Sequence, residues 1–543
     1  MPDKKWFDDM EAKIPHGGVR TRFAPSPTGY MHVGGLRTAL YAYLVAKKTG
    51  GTFILRIEDT DAARFVEGAI EIIIDTLQCT GLHYDEGPDI GGPAAPYTQS
   101  ERKELYRPYA ELLCEKGAGY YCFCEDQGAG GREQGAGDED AEGQELRAKG
   151  LGDGSDGGDV CDQSAGLSVQ SSGDGDSKSG HEVRYSLEDD PCRDLPYAES
   201  KRRVDAGEPF VVRLRAPRDG ATTVSDMVFG DVTTQNKTLD DMVLLKRDGM
   251  PTYNFANVID DHLMGITHVL RGSEYISSAP KYNLLYKAFG WEIPAYVTVS
   301  PVMRDAQNKL SKRHGDPTYD DLLGEGYLPG AVLNYVALLG WSPGGEREIF
   351  TLAELLDVFD ISGISRSPAI FDVEKLSYFN SEYIRALTPD EFAGIAKPYI
   401  AKAIKTDRIS ADAVASILQA RCEKLSDIPG KIGFFEALPE YETELYVHKK
   451  SKTDKTISLD MLRAAETALS ALPDFTYEAV HDALVTLAEK LGVKNATLMW
   501  PLRIAVSGMA VTPGGAVELC WILGRDETLR RISDGIMRLE GEQ

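Results

Sequence analysis

The chain has 543 residues, 42% hydrophobic and 27% charged, and a formal net charge of -26. That length allows several hydrophobic cores and three or four domains, and the composition is that of a soluble globular protein rather than a fibrous or disulfide-stapled one. No apolar run approaches the ~18 residues of a membrane span, the first ten residues lack a signal peptide's apolar stretch, and eight irregularly spaced cysteines suit a reducing compartment, so a cytoplasmic location away from membranes is expected.

Alternation in residues 19–24 predicts a strand, Pro25-Ser26-Pro27-Thr28-Gly29 a turn, and Leu36, Leu40, Tyr43 and Leu44 a helix. Residues 52–57 read as the next strand. Strand, helix, strand is the βαβ unit of a nucleotide-binding sheet. Residues 127–180 are dominated by Gly, Asp, Ser and Glu without one aromatic residue. Such a stretch cannot bury enough apolar surface to offset its ordering entropy, and it reads as a disordered acidic insertion. Residues 126–183 contribute -10 of the charge and leave -16 on the rest, so a polyanion would have to meet a local basic face. Further short strands are expected at 210–214, 243–245 and 268–270, and a helix at 280–289. From about Thr388 the pattern turns helical, as at 412–418, 459–472 and 477–490.

The first strand-to-helix turn carries His32-Val33-Gly34-Gly35. Gly34 and Gly35 allow close backbone approach to a phosphate, the helix N-terminus favours an anion, and His32 can donate to a phosphate oxygen as charge builds in a transition state. Far downstream, Asn308-Lys309-Leu310-Ser311-Lys312-Arg313-His314 is a compact basic loop able to surround a triphosphate. Alone, the first is equally an ordinary glycine turn and the second a solvated surface loop. Read together they suggest two halves of a clamp around ATP.

Arg22-Phe23-Ala24-Pro25-Ser26-Pro27-Thr28-Gly29 followed by His32-Val33-Gly34-Gly35 resembles the signature of glutamyl-tRNA synthetases, which are class I aminoacyl-tRNA synthetases. The likeness continues in order through Arg56-Ile57-Glu58-Asp59-Thr60-Asp61, Pro96-Tyr97-Thr98-Gln99-Ser100-Glu101-Arg102, Pro251-Thr252-Tyr253-Asn254-Phe255-Ala256-Asn257 with Asp260-Asp261-His262, Arg271-Gly272-Ser273-Glu274 and the loop 309–313. The general class I motif ends in a second histidine where this chain has Gly35, a position at which the glutamyl family is loose.

The resemblance implies an α/β fold: a Rossmann-type catalytic domain with an inserted acceptor-stem domain, followed by all-α anticodon-binding domains. The expected limits are 1–92 and 214–300 for the catalytic halves, 93–213 for the insertion, 301–387 for a stem-contact domain and 388–543 for the helical end. It implies glutamate-tRNA ligase activity through a glutamyl-adenylate, with ATP, Mg²⁺, L-glutamate and tRNA(Glu) as partners, tRNA(Gln) left open, and a monomer expected. Glutamate brings two carboxylates and an ammonium. Arg22 and Arg271 are forks suited to carboxylates, and Glu58 supplies the charge for the ammonium. Tyr253, Asn257, Ala24 and Ser26 complete the implied pocket. His32, Gly34, Gly35, Glu274, Lys309, Leu310, Ser311, Lys312 and Arg313 form the implied ATP site, with His32, Lys309 and Lys312 as catalytic groups and Lys312 the strongest transition-state contact. For Arg56, Asp61 and Arg64, a supporting charge network and plain salt bridges stand equally open.

Cys122, Cys124 and Cys192 resemble part of a zinc site of the kind some glutamyl synthetases carry, and Asp194 is the candidate fourth ligand; three free thiols are the alternative. Arg421 and Arg503 are expected to face tRNA. Two alternatives to the ligase remain at this point: a glutaminyl-type synthetase, which would end in β-barrels, and an inactive synthetase-like RNA-binding module, which should have lost His32, Lys309 or Lys312.

Overall fold

A computed structural model describes residues 3–61, 65–124, 190–310 and 315–541. The insertion expected at 126–183, Arg64, and the loop residues Ser311, Lys312 and Arg313 lie outside them.

An amphipathic helix, α1 (Lys4–Glu11), precedes the first strand, β1 (Arg20–Phe23); helix α2 (Val33–Lys48) and strand β2 (Thr52–Leu55) follow. His32 caps α2, and Lys47 and Lys48 in its last turn complement the helix dipole. Helices α3 (Ala69–Cys79) and α4 (Lys103–Glu115) lead to β3 (Gly119–Cys122). The chain continues through α5 (Tyr197–Asp205), β4 (Val211–Leu214), the hairpin β5 (Ala221–Asp226) and β6 (Gly230–Gln235), β7 (Val243–Leu245), α6 (Tyr253–Leu263), β8 (His268–Gly272), α7 (Ala279–Phe289) and β9 (Ala295–Val299).

The main sheet has the order β2-β1-β8-β9-β5-β6. All its pairings are parallel except β5 with β6. Between β1 and β8 the order turns from one flank to the other, and the carboxyl ends of strands at such a switch open a crevice for a ligand. A second sheet, β3-β4-β7, lies in the part expected to be the acceptor-stem domain. It recruits Val243–Leu245 from beyond the 213 limit expected for that domain, because β4 pairs with β7 as well as β3.

Helices between Tyr319 and Ala386 join the core formed by α2 and the main sheet, and Tyr335, Trp341 and Phe379 are among the shared buried side chains. From Pro389 to Glu540 the described chain is helical around its own core. Thr388 opens this part with a capping box to Glu391 and Pro389 in the first turn. Among the described residues, no helix is long and apolar enough to cross a membrane.

Candidate active site

β1 is buried along its whole length although two of its four residues are arginines. Buried guanidinium groups need carboxylates, and the structure supplies them from α6 and the segment after β2. Arg22 donates from Nε to Asp261 Oδ1 at 3.1 Å, from Nη2 to Oδ2 at 3.4 Å, and from Nη1 to the Leu270 carbonyl at 3.1 Å. Arg56, fully buried, donates to the same Asp261 at 2.7 Å and to Glu58 Oε1 at 2.8 Å. Burial alone would raise Asp261, but Arg22 and Arg56 outweigh it and hold its carboxyl below the ordinary range. Glu58 is less well served: burial dominates and raises it despite Arg56 and Arg22. The charge network open for Arg56 at the sequence level is therefore present, centred on Asp261.

Arg271, on β8 beside Arg22, is handled differently. It is 7% exposed, and its guanidinium lies 4.6 Å from the ring centroid of Tyr282 and 4.7 Å from that of Tyr296. Among the described residues no carboxylate reaches it within ion-pair distance. Burial alone would lower it, but Tyr282, Tyr296, Tyr253 and the more distant Asp261 outweigh burial and keep the guanidinium firmly charged, and with no carboxylate at ion-pair distance it can take an incoming one. Tyr253 stands at the start of α6, tilted against Tyr275 at 5.5 Å, and Asn257 one turn on is buried and donates to the Tyr253 carbonyl at 2.9 Å. Arg22, Glu58, Tyr253, Asn257 and Arg271 thus come from four separate stretches close enough to act on one another or on shared neighbours. Ala24 is half-buried and Ser26 exposed in the turn leaving β1.

The adjacent carboxylates Asp260 and Asp261 point about 100° apart around α6. Asp260, fully buried, accepts from Gln99 Nε2 at 2.8 Å, Arg102 Nε at 2.7 Å and the Tyr106 hydroxyl at 2.9 Å. One helix therefore fastens the pocket's arginines on one side and the root of the insertion on the other. The sequence showed both aspartates within a motif, but the role of each follows only from the helix geometry.

At the head of α2, His32 Nδ1 accepts from the Gly35 N–H at 3.2 Å, which puts the ring proton on Nε2. A Cβ on Gly34 would sit 3.0 Å from His32 Cε1, so glycine lets the ring fold against the turn. One of the helix N–H groups expected to meet an anion is thus taken by the histidine. The described start of the basic loop forms a hairpin. Met303 and Lys309 pair in a hairpin that leaves Lys309 exposed, and the Leu310 N–H donates to the Val302 carbonyl at 3.1 Å. Asp305 closes the hairpin, accepting from the Asn308 side chain and the Gln307 and Asn308 backbone, which holds its carboxyl down to about 2. Beyond the loop, Thr318 pairs with His32, and the Tyr319 N–H donates to the Met31 carbonyl at 3.2 Å. Buried Arg37 of α2 donates to the carbonyls of Leu339, at 2.7 Å, and Ser300. The α2 turn is thus bonded to the chain that follows the basic loop, and α2 itself to Ser300 and Leu339. Glu274 follows β8 in a short 3-10 helix, with its carboxylate folded back over Gly272.

The thiol group stands apart, at the end of β3. Cys122, Cys124, Cys192 and Asp190 bring one ligand atom each to within 4.8 Å of one another. Asp190 replaces Asp194 as the fourth member: it accepts from the Cys192 N–H at 2.9 Å and from the Tyr120 hydroxyl at 2.9 Å, whereas the Asp194 side chain is 92% exposed and reaches only Arg215 at 3.9 Å. The tight turn at Cys192 points the residue two before it, not the one two after it, at the thiols. Cys124 and Cys192 Sγ lie 3.8 Å apart. That is the tetrahedral edge implied by Zn–S bonds of about 2.3 Å, so the residues fit a zinc ion.

In the helical part, Arg421 and Arg503 meet although 82 positions separate them. Arg421 donates to the Thr512 carbonyl at 2.7 Å and Arg503 to the Ala510 carbonyl at 2.8 Å, holding one loop between them.

The family model of the catalytic domain of class I tRNA synthetases (E and Q) matches residues 18–143 and 174–378, and that of an anticodon binding domain matches 391–536. Fold and site together define a class I tRNA synthetase. The glutamate--tRNA ligase of Clostridium botulinum is 49% identical over 97% of this chain and 99% of its own length, and that of Clostridium tetani 49% over 96% and 98%. A crystal structure of a glutamate tRNA ligase from Elizabethkingia meningosepticum in complex with its amino acid superimposes with a TM-score of 0.79 at 33% identity, covering 96% of this chain and all of that one. The chain belongs to the glutamate--tRNA ligase family. Its helical end also departs from the β-barrels expected of a glutaminyl-type enzyme.

Proposed function

We propose that this chain joins L-glutamate to tRNA(Glu) at the expense of ATP, and that Arg271 is the group that selects the diacid. The observation carrying this reading is the buried Arg271 guanidinium, which has aromatic neighbours and, among the described residues, no carboxylate within ion-pair distance. The substrate side-chain carboxylate completes it, with Arg22 alongside. Glutamine brings no charge there and leaves the cation unpaired, a penalty large enough for strong rejection. Glu58 receives the ammonium, and Tyr253 and Asn257 orient the chain of the substrate.

ATP, carried as its Mg²⁺ complex, lies between the α2 turn and the hairpin bearing Lys309. The glutamate α-carboxylate attacks the α-phosphorus; the bond to the bridging oxygen breaks, and pyrophosphate leaves. A terminal ribose hydroxyl of tRNA then attacks the acyl carbon, and AMP leaves. Neither step needs an enzyme nucleophile. The chain contributes positioning and neutralisation: His32 through Nε2, Lys309, and from outside the described residues Ser311, Lys312 and Arg313, with Gly34, Gly35, Leu310 and Glu274 shaping the nucleotide site. ATP–pyrophosphate exchange and tRNA charging test this directly. Exchange with glutamate and not glutamine, followed by charging of tRNA(Glu), is expected, and absence of both activities with and without tRNA would leave only an RNA-binding module. Charging tRNA(Gln) in parallel decides whether that tRNA is also used, and the cytoplasm is the compartment implied.

Because Glu58 is raised in the free protein and must be ionised to hold an ammonium, glutamate KM rises as pH falls through a value above 4.5. The sign follows from the ligand favouring the charged form. Glu58→Gln raises KM at neutral pH and abolishes that dependence; a KM–pH profile that Glu58→Gln leaves unaltered would remove the role.

The Cys122, Cys124, Cys192 and Asp190 group would hold Zn²⁺ as a structural ion that fixes the end of β3. Metal analysis of the purified chain is expected to give about one zinc per molecule, and Cys192→Ser to lose it while Asp194→Asn keeps it. Equal loss in both variants would restore Asp194 as a ligand.

A further inference from the structure

Within an acidic protein, residues 448–455 concentrate four lysines against one aspartate. The structure makes of them a tight hairpin rather than a loose loop. His448 and Thr453 exchange backbone hydrogen bonds at 3.0 and 3.2 Å. His448 stacks flat on Trp500 at 3.7 Å, and its Nδ1 lies 2.8 Å from the Ser451 hydroxyl. The Ser451 carbonyl accepts from Thr497 at 2.8 Å, and the Thr453 hydroxyl donates to the Tyr446 carbonyl at 2.8 Å. Buried Ser451 and Thr453 anchor the turn, and Lys449, Lys450 and Lys452 are left exposed.

These three lysines have no ion-pair partner among the described residues. Lys452 also has a φ of 55°, the only positive φ of a non-glycine residue among them. Glycine or asparagine would adopt that backbone at lower cost, so a cation stands where the turn disfavours a side chain. The hairpin lies inside the stretch matched by the anticodon binding domain. The indole under His448 is also covered by Arg503 at 4.5 Å, and Arg503 and Arg421 hold the same loop.

We infer that this hairpin is a phosphate-contacting element for the tRNA backbone, which supplies the local basic face that the overall charge denies. The inference rests on the ligase reading and adds a surface to it. Rigid cations spaced along a turn read phosphates without base specificity, and each phosphate neutralised contributes about 0.7–0.9 to the slope of log affinity against log salt.

The test is charging of tRNA(Glu) by the full chain from 50 to 300 mM KCl. Lys449→Gln/Lys450→Gln/Lys452→Gln is expected to raise KM for tRNA about 10- to 100-fold at low salt, to flatten the salt slope by about 2–3, and to leave kcat at saturating tRNA within about two-fold. The triple arginine variant keeps the charge and should restore the wild-type slope. Should the glutamine triple not fold, Lys450→Gln alone should flatten the slope by about 0.7–0.9. Wild-type slope and KM in the glutamine variants, in a chain that charges tRNA(Glu) normally, would overturn the proposal. If the wild-type chain charges no tRNA, the ligase reading falls instead.

Discussion

Arg271→Gln is expected to lower kcat/KM for glutamate by about 10²- to 10⁴-fold while lowering the melting temperature only slightly. The first effect is the loss of a buried charge pair with the substrate, about 3–5 kcal/mol, at about 1.4 kcal/mol per decade. The second follows from the free protein, where this guanidinium is buried against Tyr282 and Tyr296 and, among the described residues, has no carboxylate within ion-pair distance to lose. The surrounding tyrosines outweigh burial, so the substitution forfeits cation–π contacts of about 2 kcal/mol and relieves desolvation at the same time, leaving a small net loss. Calorimetry with steady-state exchange separates the two. A fall of several degrees in melting temperature with glutamate KM intact would make Arg271 part of the scaffold.

Asp261→Asn should give the reverse balance, with stability lost together with activity. Asp261 serves both Arg22 and Arg56, all three buried. Removing its charge strands two guanidinium groups with Glu58 alone, which costs about 3–5 kcal/mol. For a domain of this size that lowers the melting temperature by roughly 6–20 °C. Since Asp261 titrates below its ordinary value in the fold, its contribution is present above the unfolded-state value of 3.8 and is lost as pH falls through the depressed folded value. The variant should therefore unfold with a shallower acid limb than the wild type. An unchanged acid limb in Asp261→Asn would show that the network does not depend on this carboxylate.

The contrast between these two residues explains how far the sequence could be read. The βαβ start, the turn at 25–29, α2 and the helical end were legible because periodicity and turn residues act locally. Alternation marked β1 as a strand, and both its faces are covered, because Arg20 and Arg22 enter the core with carboxylates from Glu86 and Asp261. Those partners lie 66 and 239 positions away, and no local pattern reports them. The pocket residues were reached through motif resemblance, but the difference between a satisfied Arg22 and an open Arg271 exists only in three dimensions. Asp194 was the candidate fourth ligand near Cys192 in the sequence, and the turn brings Asp190 to the thiols instead. Strand β7 leaves the catalytic sheet for the insertion for the same reason: pairing partners are a tertiary choice.

The sequence also paired the α2 turn with the basic loop; His32 bonds to Thr318 beyond that loop, and Arg37 to Ser300 before it and to Leu339, while the clamp itself belongs to the proposed function. A crystal structure with a non-hydrolysable glutamyl-adenylate analogue tests the account most directly. The substrate side-chain carboxylate is predicted to lie within hydrogen-bond distance of Arg271, with the phosphate between His32 and the hairpin that carries Lys309. A side-chain carboxylate held elsewhere, with Arg271 still facing only its tyrosines, would contradict it.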